Sequence, residues 1–227
     1  MRKVDTTLIP LAAYLGVVGM PGVTAWYGLN RICEPKSGET VVVSAAAGAV
    51  GSVVGQLAKQ HGCRVVGIAG GRDKCDYVVR ELGFDACIDY KAAADAKDFH
   101  ARLTAETPSG VDGYFENVGG MIFDALLARM NAFGRIAVCG MIAAYEGQSV
   151  PLQNARAILV SRLKLQGFIV AEHMELWPQA LKELGAGVAA GRIRYRESIA
   201  EGLANAPEAF VGLLKGRNFG KQLVKLI

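Results

Sequence analysis

Short apolar runs rich in valine, isoleucine and phenylalanine alternate along the chain with longer helical stretches. The runs predict six β-strands, over Thr40–Ser44, Cys63–Ala69, Ala86–Ile88, Gly113–Phe115, Arg135–Cys139 and Leu165–Val170. The stretches predict helices over Gly48–His61, Lys74–Leu82, Asp98–Thr107, Gly120–Asn131, Ala155–Ser161 and Leu176–Ala190. Because strands that alternate with crossover helices form a parallel sheet, the pattern predicts an α/β fold with a doubly wound sheet of strand order 3-2-1-4-5-6.

The pattern changes after about Gly191. Three elements are predicted beyond a sheet that six strands already complete, namely a strand over Arg192–Ile199, a helix over Ala206–Lys215 and a strand over Lys221–Ile227. We therefore predict one domain over residues 1–190 and a segment over residues 191–227 that belongs to another part of the protein.

Composition and charge argue against several classes of partner. Apolar residues make up 52% of the chain and charged residues 20%, which is typical of a folded globular protein. The net charge of +4 is modest and the basic residues are scattered, so neither a nucleic acid nor a membrane surface is expected as a partner. The apolar stretch Leu8–Val18 contains Pro10 and is too short to span a bilayer, so it is interpreted as the packed N-terminal edge of the first domain.

The cysteines bear on metal binding and on the cellular compartment. There are five, an odd number, and none forms a C-x-x-C pair; they are Cys33, Cys63, Cys75, Cys87 and Cys139. This pattern argues against a disulfide framework and against a structural zinc site, so no metal ligand is predicted. A reducing cytoplasm is the compartment that fits best.

The first predicted strand breaks into a turn of small residues and then opens a helix. The turn fits A-x-G-x-x-G, with Ala46 in place of the first glycine and with Gly48 and Gly51 in the other two places. In the dinucleotide-binding fingerprint these positions make a tight turn, let the backbone approach a pyrophosphate, and let helix and sheet pack closely. The alternative is a βα turn that needs small residues for packing alone. The flanking strand, helix and second strand favour a phosphate-binding turn.

The end of the second predicted strand indicates which dinucleotide binds. A carboxylate there would hold the 2′-hydroxyl of NAD, whereas basic residues accommodate the 2′-phosphate of NADP. The sequence has no carboxylate at the strand end, and Arg72 and Lys74 follow shortly after it. The alternative is that both are ordinary surface charges, although a cation is unfavourable near a helix N-terminus. NADP(H) is therefore predicted over NAD(H).

A set of short motifs resembles one family. They are Gly19-Met20-Pro21-Gly22-Val23-Thr24-Ala25, the turn and helix Ala45–Gly55, Leu82-Gly83-Phe84-Asp85, Asp89-Tyr90-Lys91, Glu116-Asn117-Val118-Gly119-Gly120, Gly134–Gly140, Glu201-Gly202-Leu203 and Asn218-Phe219-Gly220-Lys221. Together they resemble the zinc-independent medium-chain reductases that include prostaglandin, leukotriene B4, curcumin and alkenal double-bond reductases. The resemblance covers nearly the whole chain.

The resemblance implies contacts with NADP(H), residue by residue. The pyrophosphate would be held by Gly48, Ala49, Val50 and Gly51, with Ala46 at the start of the turn. Lys74 would hold the 2′-phosphate, Tyr90 would lie against the adenine side, Asn117 near the ribose and phosphates, and Asn218 would reach in from the tail. At the nicotinamide end the resemblance implies a loop from Cys139 through Gly140 and Met141 to Tyr145, the segment Phe168, Ile169 and Val170, and a further contact from Thr24.

Members of this family also carry an N-terminal domain that resembles the GroES fold and that this sequence lacks. The resemblance therefore implies an NADP-binding Rossmann domain over residues 1–190. Residues 191–227 would be the return segment of the catalytic, GroES-like domain.

The implied activity is reduction of the carbon–carbon double bond of α,β-unsaturated aldehydes and ketones, with a small apolar carbonyl compound as substrate. Tyr145 is the candidate donor to the enolate oxygen; the alternative is that its ring only packs on the cofactor. Cys139 lacks an evident histidine partner and is interpreted as a small buried residue and not as a nucleophile.

Two rival functions stay open. One is a quinone reductase or alcohol dehydrogenase of the same superfamily, and the other is an NADP-binding fragment without turnover. The resemblance also implies a homodimer in which the strand Leu165–Val170 pairs with its twin, which would cover an apolar edge. The alternative is that the tail shields this edge.

Overall fold

Six parallel strands form the centre of the chain in a computed structural model that describes residues 3–145, 147 and 149–226. The strands are β1 (Thr40–Ser44), β2 (Arg64–Ala69), β3 (Ala86–Asp89), β4 (Val111–Glu116), β5 (Met130–Val138) and β6 (Lys164–Gly167). They lie in one sheet with the order β3-β2-β1-β4-β5-β6. The predicted α/β fold, doubly wound sheet and strand order are confirmed.

Helices cover both faces of this sheet. They are α1 (Met20–Tyr27), α2 (Gly51–Gln60), α3 (Arg72–Arg80), α4 (Ala96–Glu106), α5 (Gly120–Leu127), α6 (Arg156–Val160) and α7 (Trp177–Ala189). In the part of the chain that the structure describes, no helix has both the length and the apolar character needed to cross a membrane.

The alternation of side chains along β1 divides the core into two layers. Val41 and Val43 belong to a buried cluster that includes residues of α1, α2 and α7. Val42, which points to the other face, belongs to a second cluster with residues of α4 and α5. Successive side chains of a strand point to opposite faces, so a run of β-branched residues is what a strand buried on both faces requires.

Tertiary contacts move the ends of several predicted elements. The helix predicted over Gly120–Asn131 is wrong at its end, because Met130 pairs with Val111 in the sheet and the Asn131 side chain donates to Asp112 Oδ1 at 2.8 Å. The helix predicted from Gly48 begins at Gly51, because the three residues before it form the turn. Cys139 lies just beyond β5, and β6 ends at Gly167.

The segment after Gly191 forms a small sheet of its own. A strand β7 (Glu197–Glu201) pairs in parallel with β8 (Lys221–Lys225), and a helix α8 (Ala206–Leu214) connects them. The strand predicted from Arg192 is wrong at its start, because the Arg194 backbone exchanges two 2.8 Å hydrogen bonds with the Gln56 side chain of α2. Ile227 lies outside the described residues, and the predicted domain boundary at 190/191 stays a prediction.

The N-terminal stretch packs in part. Ala13, Val17 and Val18 are buried in the core cluster that also holds α1. The side chains of Leu8, Leu11 and Leu15 are exposed on the surface. Only some of the apolar side chains of this stretch therefore pack into the core, and the others remain exposed to solvent.

Candidate cofactor site

The turn between β1 and α2 is unusually tight. The Gly48 N–H donates to the Ala45 carbonyl at 2.9 Å, and Ala45 adopts a positive φ of 50°. A Cβ atom on Gly51 would lie 2.4 Å from the Ala45 carbonyl oxygen, so only glycine lets the helix start this close to the strand end. Ala46 is fully buried, and its N–H donates to the Ile68 carbonyl of β2 at 3.0 Å. These contacts are those expected of a phosphate-binding turn.

A buried carboxylate organises the next loop along the same edge of the sheet. Glu116, the last residue of β4, accepts hydrogen bonds from the Tyr114 hydroxyl at 2.6 Å, the Ser44 hydroxyl at 3.0 Å and the Gly119 N–H at 2.9 Å. The Val118 N–H donates to it as well. Burial raises the pKa of Glu116 above its usual value, and these four donors oppose that rise by favouring the ionised form.

Three loops are joined through this carboxylate. The Asn117 N–H donates to the Ser44 hydroxyl, and its side-chain amide donates to the Ser44 carbonyl, both at 2.8 Å. The loop after β5 is bonded in turn to the loop after β4, because the Ala143 N–H donates to the Val118 carbonyl at 2.9 Å. The ends of β1, β4 and β5 therefore form one hydrogen-bonded unit at the point where the strand order reverses.

A cleft of about 340 Å³ opens beside the β1–α2 turn, and we call it the central cleft. Its volume lies within the range of small-molecule sites. It is lined by Ala45, Ala47, Gly48, Ala49, Ile68, Ala69, Gly70, Lys74, Tyr90, Val118, Ile122, Ile142, Leu213, Leu214, Lys215, Gly216, Asn218, Gly220, Lys221 and Gln222. The turn, the ends of β2 and β3, and the tail around α8 thus share one cavity.

The central cleft is positively charged. Among the described residues that line it, the charged side chains are those of Lys74, Lys215 and Lys221, and none is a carboxylate. The Lys74 ammonium donates to the Gly216 carbonyl at 2.7 Å and lies 5.4 Å from the centre of the Phe219 ring. Burial, together with the charge of Lys91, lowers the pKa of Lys74. A half-buried cation in this state favours an anionic ligand.

The residues predicted at the adenine and phosphate end fall into two groups. Gly48, Ala49, Lys74, Tyr90 and Asn218 line the central cleft together. The others lie outside its lining: Ala46, Val50 and Gly51 build the turn, Asn117 bridges to Ser44, and Arg72 is exposed with its Nε 3.9 Å from a carboxylate oxygen of Asp76. Their roles toward a cofactor stay predictions.

The residues predicted at the nicotinamide end are spread over the neighbouring loops. A methyl group on Gly140 would lie 3.4 Å from the Tyr145 hydroxyl, so the exposed phenol covers the backbone of Gly140, and Met141 lies against Gly119. Phe168 packs on Tyr27 with ring centres 5.2 Å apart. Ile169 is exposed and Val170 is buried.

Two further candidates have local roles. The Thr24 hydroxyl donates to the Met20 carbonyl one turn back in α1 at 2.7 Å. Burial raises the pKa of the Cys139 thiol to about 12, so this thiol is protonated at neutral pH. Among the described residues, no group of three or more His, Cys, Asp and Glu side chains is placed to hold a metal ion.

Sequence reasoning missed several residues of this site. Ser44 and Glu116 each close an apolar strand, and a polar residue in that place is the signal that would have pointed to them. Lys215 carried no local signal, and Lys221 stood only at the end of the motif Asn218-Phe219-Gly220-Lys221 with no role assigned, because only the fold brings the tail to the central cleft.

The fold and the central cleft define a dinucleotide-binding α/β protein. The family model described as zinc-binding dehydrogenase matches residues 49–186. The chain is 49% identical over 231 residues to the putative NADP-dependent oxidoreductase YfmJ of Bacillus subtilis (strain 168), a match that covers 100% of this chain and 67% of that protein. It belongs to this family, in the zinc-independent group of medium-chain dehydrogenases/reductases.

Two further relatives carry more detailed descriptions. The 2-alkenal reductase (NADP(+)-dependent) of Nicotiana tabacum is 46% identical, covering 98% of this chain and 64% of that protein. The crystal structure of CurA in complex with NADPH from Vibrio vulnificus superposes with a TM-score of 0.92 at 45% identity, covering 100% of this chain and 68% of that one. The chain thus spans about two thirds of the length of the relatives it matches.

The buried carboxylate yields a prediction about stability and pH. The native pKa of Glu116 lies above the value of about 4.5 that the residue has when unperturbed, so its ionisation opposes folding. The stabilising contribution of Glu116 is present below its unperturbed pKa of about 4.5 and is lost as the pH rises through its native pKa. We expect the free energy of unfolding of the wild type to fall relative to that of Glu116→Gln over this interval, as measured by urea unfolding.

The matched control is Glu201→Gln, which changes a carboxylate that is exposed on β7. Its difference from the wild type should stay nearly constant over the same pH interval. A constant difference for Glu116→Gln as well would contradict the prediction.

Proposed function

We propose that the central cleft binds NADP(H) and that the protein reduces the carbon–carbon double bond of α,β-unsaturated aldehydes and ketones. The observation that carries the proposal is the combination of a tight glycine turn at the start of α2 with three lysines and no carboxylate among the described lining residues. This combination suits a ligand with several phosphate groups.

The two phosphate positions differ in their surroundings. Gly48 and Ala49 lie immediately before α2, where backbone N–H groups and the helix dipole favour the pyrophosphate. Lys74 lies beyond the end of β2, the position from which a basic residue reaches a 2′-phosphate. Tyr90, at the end of β3, supplies an aromatic wall for the adenine.

The relatives support this choice of cofactor and reaction. The tobacco relative is described as an NADP(+)-dependent 2-alkenal reductase, and the Vibrio structure contains NADPH. When bound, NADPH would supply a hydride to the β-carbon of the double bond, and the resulting enolate of the substrate would take up a proton at its α-carbon. The task of the chain is then to orient the acceptor and to stabilise the charge that develops on its carbonyl oxygen.

Tyr145 is the proposed donor to that oxygen. It lies on the loop after β5, which is bonded to the loop after β4 at the edge of the central cleft. Its phenol is exposed, and a neutral phenol can donate a hydrogen bond. Phe168 and Ile169, on the neighbouring loop after β6, offer apolar surface to a small carbonyl substrate.

The proposal includes a homodimer and a cytoplasmic location. β6 is the last strand of the sheet and pairs with β5 alone among the described strands. Leu165 on this edge and Leu159, Val160 and Phe133 near it are exposed apolar side chains, which pairing with a second copy would cover. All five cysteines are free thiols, the state that a reducing compartment maintains.

Cofactor binding and turnover can be measured on the purified chain. We expect NADPH to bind more tightly than NADH by roughly tenfold to hundredfold, because the 2′-phosphate forms charge-assisted hydrogen bonds with Lys74. Nicotinamide fluorescence follows the titration, and addition of a simple enone should consume the bound NADPH. Lys74→Met should remove most of the preference for NADPH, whereas Lys97→Met, on the exposed surface of α4, should keep it.

Each outcome of this experiment bears on one part of the proposal. Binding without consumption of NADPH would show that these 227 residues do not suffice for turnover, and consumption with quinones or alcohols in place of enones would assign a different reductase activity. Absence of NADPH binding would overturn the proposal as a whole.

The role of Tyr145 is testable by removing its hydroxyl alone. Tyr145→Phe should lower kcat for enone reduction by roughly a hundredfold, because general acids and oxyanion donors contribute on that scale. The Kd for NADPH should change less than about twofold, since the ring is retained. An unchanged kcat would mean that the tyrosine only packs at the site.

The dimer prediction rests on the free edge of β6. Analytical ultracentrifugation should find a dimer for the wild type and a monomer for Leu165→Lys, because a charge on an edge strand opposes pairing with another strand. Leu203→Lys places the same charge on an exposed leucine between β7 and α8 and should leave the dimer intact. A monomeric wild type would refute this part of the proposal.

A further inference from the structure

A second lysine, Lys91, follows β3 and packs against Gly70 just beyond the end of β2. The Lys91 side chain runs over Gly70, because a Cβ atom on Gly70 would lie 2.9 Å from Lys91 Cε and 2.9 Å from Tyr90 Cε1. Any side chain at position 70 would displace both. Gly70 lines the central cleft, so the end of the exposed Lys91 side chain lies against one residue of that lining.

The backbone of Lys91 is held in place by one carboxylate. Asp89 Oδ1 accepts hydrogen bonds from the Gly71 N–H at 2.8 Å and from the Lys91 N–H at 3.0 Å. Gly71 immediately precedes α3, the helix that carries Lys74. The turn after β2 and the turn after β3 are therefore tied together, and the two lysines start from a fixed relative position.

The two ammonium groups act on each other electrostatically. After burial, the charge of Lys91 is what lowers the pKa of Lys74, and among the described residues no ion pair includes either lysine. A dianionic group placed between two cations would remove this repulsion. Arg72, the other basic residue near the strand end, has its side chain 88% exposed and directed at Asp76.

We propose that Lys91, and not Arg72, is the second cation of the 2′-phosphate site and that it sets the preference for NADPH over NADH together with Lys74. This inference rests on the proposed function, since it assumes that the central cleft holds NADP(H). Gly70 has the role of leaving room for the Lys91 chain at the end of β2.

The test compares two variants that each remove one positive charge near the end of β2. Lys91→Met keeps an unbranched apolar chain over Gly70, and Arg72→Met is its matched control. Fluorescence titrations with NADPH and NADH, and competition by 2′,5′-ADP and 5′-AMP, report on the 2′-phosphate separately from the rest of the cofactor.

We expect Lys91→Met to weaken binding of NADPH and of 2′,5′-ADP by about tenfold, the scale of one charge-assisted contact, and to leave NADH and 5′-AMP within about twofold. Lys91→Arg should keep the preference for NADPH. Arg72→Met should leave all four affinities within about twofold of the wild type.

The outcomes separate this inference from the proposed function. If the wild type prefers NADPH and Lys91→Met keeps that preference, the role of Lys91 is overturned and the cofactor site stands. Equal losses for Lys91→Met and Arg72→Met, or equal losses for NADPH and NADH, would overturn it too. If the wild type binds neither NADPH nor 2′,5′-ADP, the inference and the proposed function fall together.

Discussion

One buried carboxylate holds the centre of this molecule together. Glu116 lies at the end of β4, next to the end of β1, and β1 and β4 are the strands between which the strand order reverses. Removing a carboxylate from water is costly unless its oxygens are hydrogen-bonded, and four donors offset part of that cost here. Because two of these donors are backbone N–H groups, the carboxylate fixes the path of the loop at the edge of the central cleft.

Much of the fold follows from the local pattern of the chain. β1 is a run of β-branched residues between polar ones, and a strand of that kind is readily found because both of its faces are buried. The ends of elements depend on distant partners. The local pattern predicts that Met130 belongs to a helix, whereas in the structure it pairs with Val111 in the sheet. The pattern also predicts that Arg194 belongs to a strand, whereas its backbone N–H and carbonyl are hydrogen-bonded to the Gln56 side chain.

The candidate site likewise contains some residues that the local sequence predicts and others that only tertiary packing brings there. Gly48 and Lys74 can be predicted from their spacing along one βαβ unit, because the fingerprint and the turn that it describes lie in the same short stretch of sequence. Lys215 and Lys221 line the central cleft because the tail packs there, and the turn after β3 brings Lys91 against Gly70 of the lining. Spacing along the chain does not carry that information. Glu116 is intermediate: it is visible as an acid that closes an apolar strand, although its partners are not.

The tail contributes more to the central cleft than its position after the sheet suggests. A two-stranded sheet such as β7–β8 is marginal by itself and depends on the surface it contacts. That contact is with the turn between β1 and α2, since the Gly220 N–H donates to the Ala47 carbonyl at 2.8 Å. Lys74 adds a second link through Gly216, and an ammonium with three donors keeps two for a ligand. A phosphate bound at Lys74 would therefore leave the contact between sheet and tail intact.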